Sequence, residues 1–373
     1  MRLVLTGGGT GGHVYPAIAI AEAFAREKDF TPIRVLFIGT KDRMEAQIVP
    51  KAGLDIEFVR AAPFERKFSL NVFTMLVTNV VGFVESLAVL RHLQPNVLIA
   101  TGGYVALPVV AAARFARALG LLGTRIALLE PNAVAGLTNR MLSPLVDEIW
   151  YSIDPAGRPM TANEFVVGTP VRSSMRRIVD PGEARTSLKL DPQKVTIVVM
   201  GGSLGATSIN TAMADLIVAD LPPEWQVLLV AGERDQNEMW RRLGWRERVK
   251  VVPYIDDPRV AYAAADMVVS RAGASTIGEL AATATPALLV PYPHATGDHQ
   301  TANAVAYAAS GAARVIPDGE LDAGRLRLEL TAALGKERLG AMRTAARRAS
   351  LTDARSAIVA RVKTWTIANT KAP

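Results

Sequence analysis

Gly7-Gly8-Gly9-Thr10-Gly11-Gly12-His13 is the first segment of the chain able to do chemistry. A glycine run between a strand and a helix lets a ligand approach backbone N–H groups at the helix start. His13 closes the run, and an imidazole suits general acid or base work near neutral pH. Two readings stay open: a ligand-facing loop, or a tight turn in which glycine is needed sterically and His13 bonds to backbone. Gly7, Gly9 and Gly12 also satisfy G-x-G-x-x-G, a dinucleotide pattern that further requires an acid at the end of the second strand. That strand ends Phe37-Ile38-Gly39-Thr40-Lys41, with no acid before Asp42, which disfavours a nicotinamide-dependent oxidoreductase.

Further polar clusters follow other apolar runs. Thr101-Gly102-Gly103-Tyr104 is a second glycine turn, and Gly201-Gly202-Ser203-Leu204-Gly205-Ala206 is a third, suited to cradling a diphosphate. Arg271-Ala272-Gly273-Ala274-Ser275-Thr276-Ile277-Gly278-Glu279 enters a helix. There Glu279 either serves a capping box or accepts hydrogen bonds from ribose hydroxyls. Pro291-Tyr292-Pro293-His294 and Gly297-Asp298-His299-Gln300-Thr301-Ala302-Asn303-Ala304 are where a sugar would be read. Of the 4 histidines, His13, His294 and His299 lie in expected strand-end loops, and His92 in a surface helix end.

The elements that must position these residues alternate short apolar strands with amphipathic helices, the pattern of parallel sheets with crossover helices. Strands are expected at 2–6, 34–39, 55–60, 96–100, 125–129, 148–151 and 165–167. After a Gly/Pro break near Gly168-Thr169-Pro170, a second series runs at 195–200, 226–230, 250–253, 267–270, 287–290 and 313–316. Both series open with an apolar strand, glycines and a helix. The expected fold class is α/β, with two Rossmann-like doubly wound domains over 1–166 and 167–345, facing each other across a cleft. Ligands belong at the carboxyl ends of such strands. A helical tail, 346–373, is expected to pack back on the first domain.

Bulk composition narrows the function. A chain of 373 residues is too long for one ordinary core. With no cysteine, disulfides and thiolate zinc sites are excluded. Met1–Gly7 reads as a strand and not as a signal peptide. The net charge of +7 favours acidic partners, but it is spread along the chain with no basic block interleaved with aromatics, so nucleic acid is not an expected partner. From Ser69 to Leu90 the only charge is Glu85. Length alone would let this segment span a bilayer. Its scattered polar residues fit better a core helix or a peripheral one. In the peripheral case Phe64, Phe68, Phe73, Leu76, Val80 and Phe83 supply an apolar face, with Arg66, Lys67 and Arg91 near its ends, for an anionic membrane surface.

These motifs, together with Val167-Gly168-Thr169-Pro170-Val171-Arg172 and Pro253-Tyr254-Ile255-Asp256-Asp257, occur in one order that resembles the MurG-type transferases of peptidoglycan synthesis, GT-B enzymes of glycosyltransferase family 28. The resemblance implies inverting transfer of N-acetylglucosamine from UDP-N-acetylglucosamine to the C4 hydroxyl of lipid I, giving lipid II and UDP. It implies an acceptor- and membrane-facing first domain and a UDP-sugar-binding second domain. The enzyme would be peripheral, on the cytoplasmic face of the membrane, with cell-wall synthesis proteins as candidate partners. His13 and Glu130 match as catalytic. Thr10, Gly11, Gly12, Tyr104, Asn132, Arg172, Ser203, Ile255, Ala274, Ser275, Thr276, Ile277, Gly278, Glu279, His299 and Gln300 match as substrate-binding. No D-x-D occurs, so no metal and no cofactor are expected. Two departures stand out. The family's His-Glu-Gln-Asn is Leu129-Glu130-Pro131-Asn132 here, and Leu204 replaces a usual glutamine. They leave open a related glycolipid glycosyltransferase, a UDP-sugar epimerase, or a non-catalytic nucleotide-sugar binding protein.

Overall fold

The structure, a computed structural model, describes residues 1–63, 71–155, 158–202, 205–350 and 353–370, and of Asn71, Ser350 and 366–370 the backbone only. The chain divides into two compact units, Met1–Ser173 with Asp353–Pro373, and Ser174–Thr352.

In the first unit the strands are β1 (Arg2–Thr6), β2 (Arg34–Gly39), β3 (Asp55–Phe58), β4 (Val97–Ala100), β5 (Arg125–Glu130), β6 (Glu148–Tyr151) and β7 (Glu164–Val166). Its helices are α1 (Gly11–Ala25), α2 (Glu45–Lys51), α3 (Asn71–Leu93), α4 (Ala106–Ala118) and α5 (Leu137–Leu142). Among the described residues these strands form one parallel sheet in the order β3-β2-β1-β4-β5-β6-β7. The second unit contains α6 (Pro181–Ser187), β8 (Val195–Met200), α7 (Thr207–Asp220), β9 (Trp225–Val230), α8 (Gln236–Leu243), β10 (Val249–Val252), α9 (Pro258–Ala264) and β11 (Met267–Ser270). It continues with α10 (Ala274–Ala282), β12 (Ala287–Leu289), α11 (His299–Ala308), β13 (Ala313–Val315), α12 (Ala323–Leu334) and α13 (Lys336–Ser350). Its sheet order is β10-β9-β8-β11-β12-β13. In both sheets the order reverses beside the first strand, and the crevice at such a switch point, outside the carboxyl ends of the strands, is where ligands bind.

Burial on both faces explains the continuous apolar strands. In the first unit, Val4, Ile38, Leu98, Ile126 and Leu128 pack under α3 and α4. Their alternating neighbours Leu3, Leu5, Phe37, Ile99 and Trp150 pack against α1 and the last helix, α14 (Ala354–Thr370). Trp365 of α14 stacks on Trp150 at 5.8 Å between centroids. Both indole N–H groups donate to the buried Glu148, at 2.7 and 2.9 Å, and Arg361 pairs with the same carboxylate. The expected tail is thus two helices. α13 belongs to the second unit and α14 to the first, so the return begins at Asp353, beyond the expected residue 346. The first unit also runs on to Ser173, past Val166, because Ser173 donates backbone and side-chain bonds to Glu22 of α1.

α3 shows two faces. Met75, Ser86 and Leu90 are buried, Asn79 bonds both backbone groups of Ala62, and a Cβ at Gly82 would collide with the Arg60 carbonyl. Glu85 lies on this packed side, accepting from the Arg60 amide at 2.7 Å. Phe73, Leu76, Val77, Val80 and Val84 recur at helical spacing on the other side and are exposed, Phe73 by 74% and Val80 by 62%. Phe83 is not on that face: it meets Phe115 edge-on, at 5.6 Å, on the packed side. Phe64, Phe68, Arg66 and Lys67 lie outside the described residues.

Candidate functional site

At the switch point of the first sheet, the β1–α1 and β4–α4 loops are fitted together by their glycines. Gly8 N–H donates to Gly102 O at 3.3 Å. A Cβ on Gly7 would strike Thr101 Oγ1, and one on Gly103, whose φ is +84°, would strike the Gly8 carbonyl. The steric reading of these glycines is therefore correct, and it is compatible with the ligand reading. The amides of Gly8 and Gly9 are occupied, but those of Thr10, Gly11 and Gly12 have no partner among the described residues. They point outward from the start of α1, as orphan donors of a helix do.

Gly9 N–H donates to Glu45 Oε2 at 3.2 Å. Glu45, fully buried on α2, also accepts from Thr40 N–H and Thr40 O–H, at 3.2 and 2.5 Å. This carboxylate braces the loop from below.

His13 sits in the first turn of α1. Its Nδ1 is 2.7 Å from the Thr101 carbonyl, and Thr101 Oγ1 donates back to the His13 carbonyl at 2.7 Å. A carbonyl only accepts, so Nδ1 carries the hydrogen. In the neutral ring the lone pair is then on Nε2. Gly102 makes room for this ring, since a Cβ there would lie 2.9 Å from His13 Cε1 and Nδ1. Tyr104 accepts from Arg43 Nε at 3.1 Å. Arg172 lies over the ring of Tyr15, 4.9 Å from its centroid, on the first turns of α1.

Glu130, at the end of β5, is buried and holds four donors: Asn132 N–H at 2.9 Å, Asn132 Nδ2 at 3.2 Å, Gly136 N–H at 3.2 Å and Asn139 Nδ2 at 2.7 Å. Burial pushes its carboxyl above the ordinary range, against these donors. With every oxygen engaged, Glu130 organises the 131–139 loop. Leu129 is buried in the core beside α1, and Pro131, lacking an N–H, donates nothing to this frame.

In the second unit, Gly201 and Gly205 lie where a Cβ would meet the Ala206 amide and the Ala231 carbonyl. Ser203 and Leu204 lie outside the described residues. After β10, the backbone N–H and C=O of Ile255 have no partner among the described residues, leaving one donor and one acceptor on a single residue. Gly273 is the N-cap of α10, with no side-chain cap. The capping-box reading fails because the N-cap is Gly273, too far back for Glu279 to be its third helical residue; Glu279 Oε2 accepts from the buried Tyr262 hydroxyl at 2.9 Å. Burial raises Tyr262 well above its ordinary value, and the charge of Glu279 adds to this. Ser275 Oγ is buried with no partner among the described residues. Ala274, Ile277 and Gly278 are buried, so a ligand could reach only their backbone, while Thr276 is half-buried.

Gln300 Oε1 accepts from Ala272 N–H and Tyr292 N–H, at 3.1 and 3.0 Å, which leaves Nε2 as an outward donor. His299 Nδ1 bonds its own turn at Thr296 O, 2.8 Å away. Arg271 was not among the expected site residues. It ties the ends of β11 and β12 together by bonding Val290 O, Pro291 O, Asp318 and Ser208.

Two parallel Rossmann-like units with glycine-lined switch points define the GT-B class of fold. The model of the glycosyltransferase family 28 N-terminal domain matches residues 3–151, and that of the C-terminal domain matches 196–358. The chain belongs to glycosyltransferase family 28, among its MurG-type transferases. A UDP-N-acetylglucosamine–N-acetylmuramyl-(pentapeptide) pyrophosphoryl-undecaprenol N-acetylglucosamine transferase of Halothermothrix orenii is 40% identical over 87% of this chain and 88% of its own. One of the same name from Caldanaerobacter subterraneus is 36% identical over 98% and 100%. The crystal structure of Acinetobacter baumannii MurG superposes with a TM-score of 0.78 at 25% identity, covering 97% of this chain and 99% of that one. A UDP-GlcNAc 2-epimerase from Neisseria meningitidis, at 11% identity and a TM-score of 0.68, shares the fold.

Proposed function

We propose that this chain transfers N-acetylglucosamine from UDP-N-acetylglucosamine to the C4 hydroxyl of undecaprenyl-diphospho-N-acetylmuramoyl-pentapeptide, giving lipid II and UDP. The names and coverage of the relatives support this over an epimerase or a binding protein. The observation that carries the chemistry is the 2.7 Å bond from His13 Nδ1–H to the Thr101 carbonyl. It leaves the basic lone pair on Nε2. As the acceptor oxygen bonds to the anomeric carbon, its proton passes to Nε2 and the carbon–diphosphate bond breaks on the opposite face, with inversion. The departing electron pair stays on UDP.

In this reading the second unit holds the donor. Ile255 offers its backbone donor and acceptor to the uracil edge, and Glu279, steadied by Tyr262, holds the ribose. Ser275, Thr276 and Gln300, with Gly201, Gly202 and Gly205, surround the diphosphate and sugar. Thr10, Gly11 and Gly12 offer amides, and Arg172 a cation, to developing negative charge. Glu130 is a positioning residue for Asn132.

The decisive experiment is transfer of labelled sugar to a lipid I analogue by wild type and His13→Ala. The variant should lose at least about 10²-fold in kcat with donor KM nearly unchanged. Intact UDP binding without transfer by the wild type would refute the function. Wild-type kcat in the variant would refute the base.

The exposed face of α3 supports a peripheral seat on the cytoplasmic face of an anionic membrane. Phe73→Glu with Val80→Glu should abolish flotation with anionic vesicles. Unchanged flotation would move the contact elsewhere.

A further inference from the structure

We propose that a cavity in the first unit, between the 131–139 loop and the ends of β5 and β6, receives the sugar-proximal residues of the acceptor's peptide and selects a carboxylate on them. The inference rests on the acceptor named in the proposed function. The cavity holds about 470 Å³, within the range of small-ligand pockets. It opens at the carboxyl ends of β5 and β6, the sheet edge that also carries the His13 loop. Ala133, Val134, Ala135 and Pro155 give it small apolar walls, and Asn139 and Arg140 of α5 complete the side next to the loop.

Most of the polar lining is already satisfied. Arg158 donates to Glu164 through two nitrogens, at 2.6 and 2.9 Å, and to the Tyr151 hydroxyl at 2.5 Å. That hydroxyl donates in turn to Glu164 at 3.0 Å. Glu130 has both oxygens engaged. A simple gap between two loops would account for a cavity lined in this way. Two groups exceed that account. Asn139 is buried, and its Nδ2 donates to Glu130 at 2.7 Å, which fixes the orientation of the amide. Its Oδ1 is buried with no partner among the described residues, and buried acceptors are rarely left so. The neighbouring Arg140 is exposed, and its guanidinium has no partner among the described residues. An unused acceptor beside an unused cation matches a peptide. An amide N–H donates to Oδ1, and a carboxylate accepts from the guanidinium fork.

The connectivity of the acceptor brings its peptide to this place. The reacting hydroxyl is on C4, and the peptide is joined through the lactyl ether on C3, the adjacent ring carbon. Peptide and reacting oxygen therefore leave the sugar side by side. The structure has the same adjacency. Asn139 Oδ1 would lie 3.1 Å from a Cβ on Gly102, and that Cβ would lie 2.9 Å from His13 Cε1. A sugar with its C4 hydroxyl at His13 Nε2 can pass its C3 substituent into the cavity within the first unit alone. Arg140 directly follows Asn139, so the carboxylate it meets belongs to the first residues of the peptide. The far end of an extended pentapeptide is roughly 17 Å away.

The test is steady-state transfer to three lipid I analogues, bearing alanyl-glutamate, its diamide or no peptide, by wild type, Arg140→Ala and Val134→Trp. Both substitutions change exposed side chains that take no part in holding Glu130. Wild type should show an acceptor KM at least tenfold lower for the glutamate analogue than for the diamide, with the peptide-free acceptor weakest. Arg140→Ala should erase the difference between acid and diamide. Val134→Trp, which narrows the cavity, should raise KM for both peptide analogues. Neither variant should alter KM for the donor or for the peptide-free acceptor. Equal KM values for the three analogues in wild type overturn the proposal. So does a preference for the acid that survives Arg140→Ala, or a rise in KM that is the same for all three acceptors. If no analogue reacts, the proposed function falls, and calorimetry of free muramoyl-alanyl-glutamate decides the site. Wild-type binding weakened at least tenfold in Arg140→Ala supports it, and equal or absent binding overturns it.

Discussion

Gly102→Ala tests the histidine without touching it. The glycine has φ +99°, a conformation costing any other residue about 1–3 kcal/mol. Its new Cβ would lie 2.9 Å from Cε1 and Nδ1 of His13 and 3.1 Å from Asn139 Oδ1. Comfortable carbon contacts begin near ~3.5 Å, so the ring must retreat by roughly 0.6 Å. It would retreat from the point where Nδ1 bonds the Thr101 carbonyl at 2.7 Å. Displacements approaching ~1 Å cost about 10²-fold in rate. The expected loss in kcat is therefore about 10- to 100-fold, or roughly 1.4–2.7 kcal/mol of barrier.

The assay is steady-state transfer, with UDP affinity and urea unfolding measured in parallel. UDP affinity should hold, because the proposed uridine contacts, Ile255 and Glu279, belong to the second unit. Stability should fall by about the backbone cost. The discriminating measurement is the double variant with His13→Ala. If Gly102 acts through the ring, Gly102→Ala removes nothing further once the ring is gone. Wild-type kcat in the single variant, or an equal further loss in the double, would refute the chain of reasoning.

Tyr262→Phe removes the 2.9 Å bond to Glu279. Donor KM should rise by about ten-fold, as expected for one charge-assisted bond of roughly 1.5–3 kcal/mol partly retained by packing, with kcat little changed. A loss confined to kcat would place Tyr262 elsewhere in the reaction. Glu45→Gln sets an amide N–H against backbone donors at Thr40 or Gly9. Thermal unfolding should show a loss of about 1–3 kcal/mol, and undiminished stability would mean the brace is dispensable. Arg158 holds the Glu164 carboxyl down to about 2, from an ordinary 4.5. A depressed carboxyl stabilises the fold above the ordinary value, and that contribution fades as pH falls from 4.5 towards 2. With Arg158 43% exposed, Arg158→Ala should cost no more than about 1 kcal/mol at pH 7. The difference should vanish near pH 2, and a pH-independent difference would contradict it.

Strands were legible because both sheet faces are buried. Leu3 and Leu5 serve one face and Val4 the other, so the whole run is apolar. Loop glycines were legible as sterically required, but the contacts that require them were not. Gly103 is required by Gly8, far away in sequence, and no local pattern reports that contact. Tyr262 reads as an ordinary apolar helix position until α9 is set beside α10. The tail is less legible: the one helical reading over 346–373 spans the end of α13 and all of α14, which belong to different units.

Glu45 shows what sequence spacing leaves out. A dinucleotide loop requires an acid at the end of the second strand, and none precedes Asp42 there. The structure does bring a carboxylate from beyond that strand to the glycine loop. It comes from α2, and both of its oxygens are taken, one by Thr40 and the other by Gly9. A carboxylate fully buried under the loop, already accepting three bonds, is out of reach of ribose hydroxyls. Counting residues after β2 therefore reaches the right exclusion for an incomplete reason: the acid exists, and the loop itself consumes it. The glycine run is thereby held rigid from below, with its remaining amides at Thr10, Gly11 and Gly12 directed outward beside His13. In the reaction proposed above, these amides stabilise the charge that develops as the diphosphate departs.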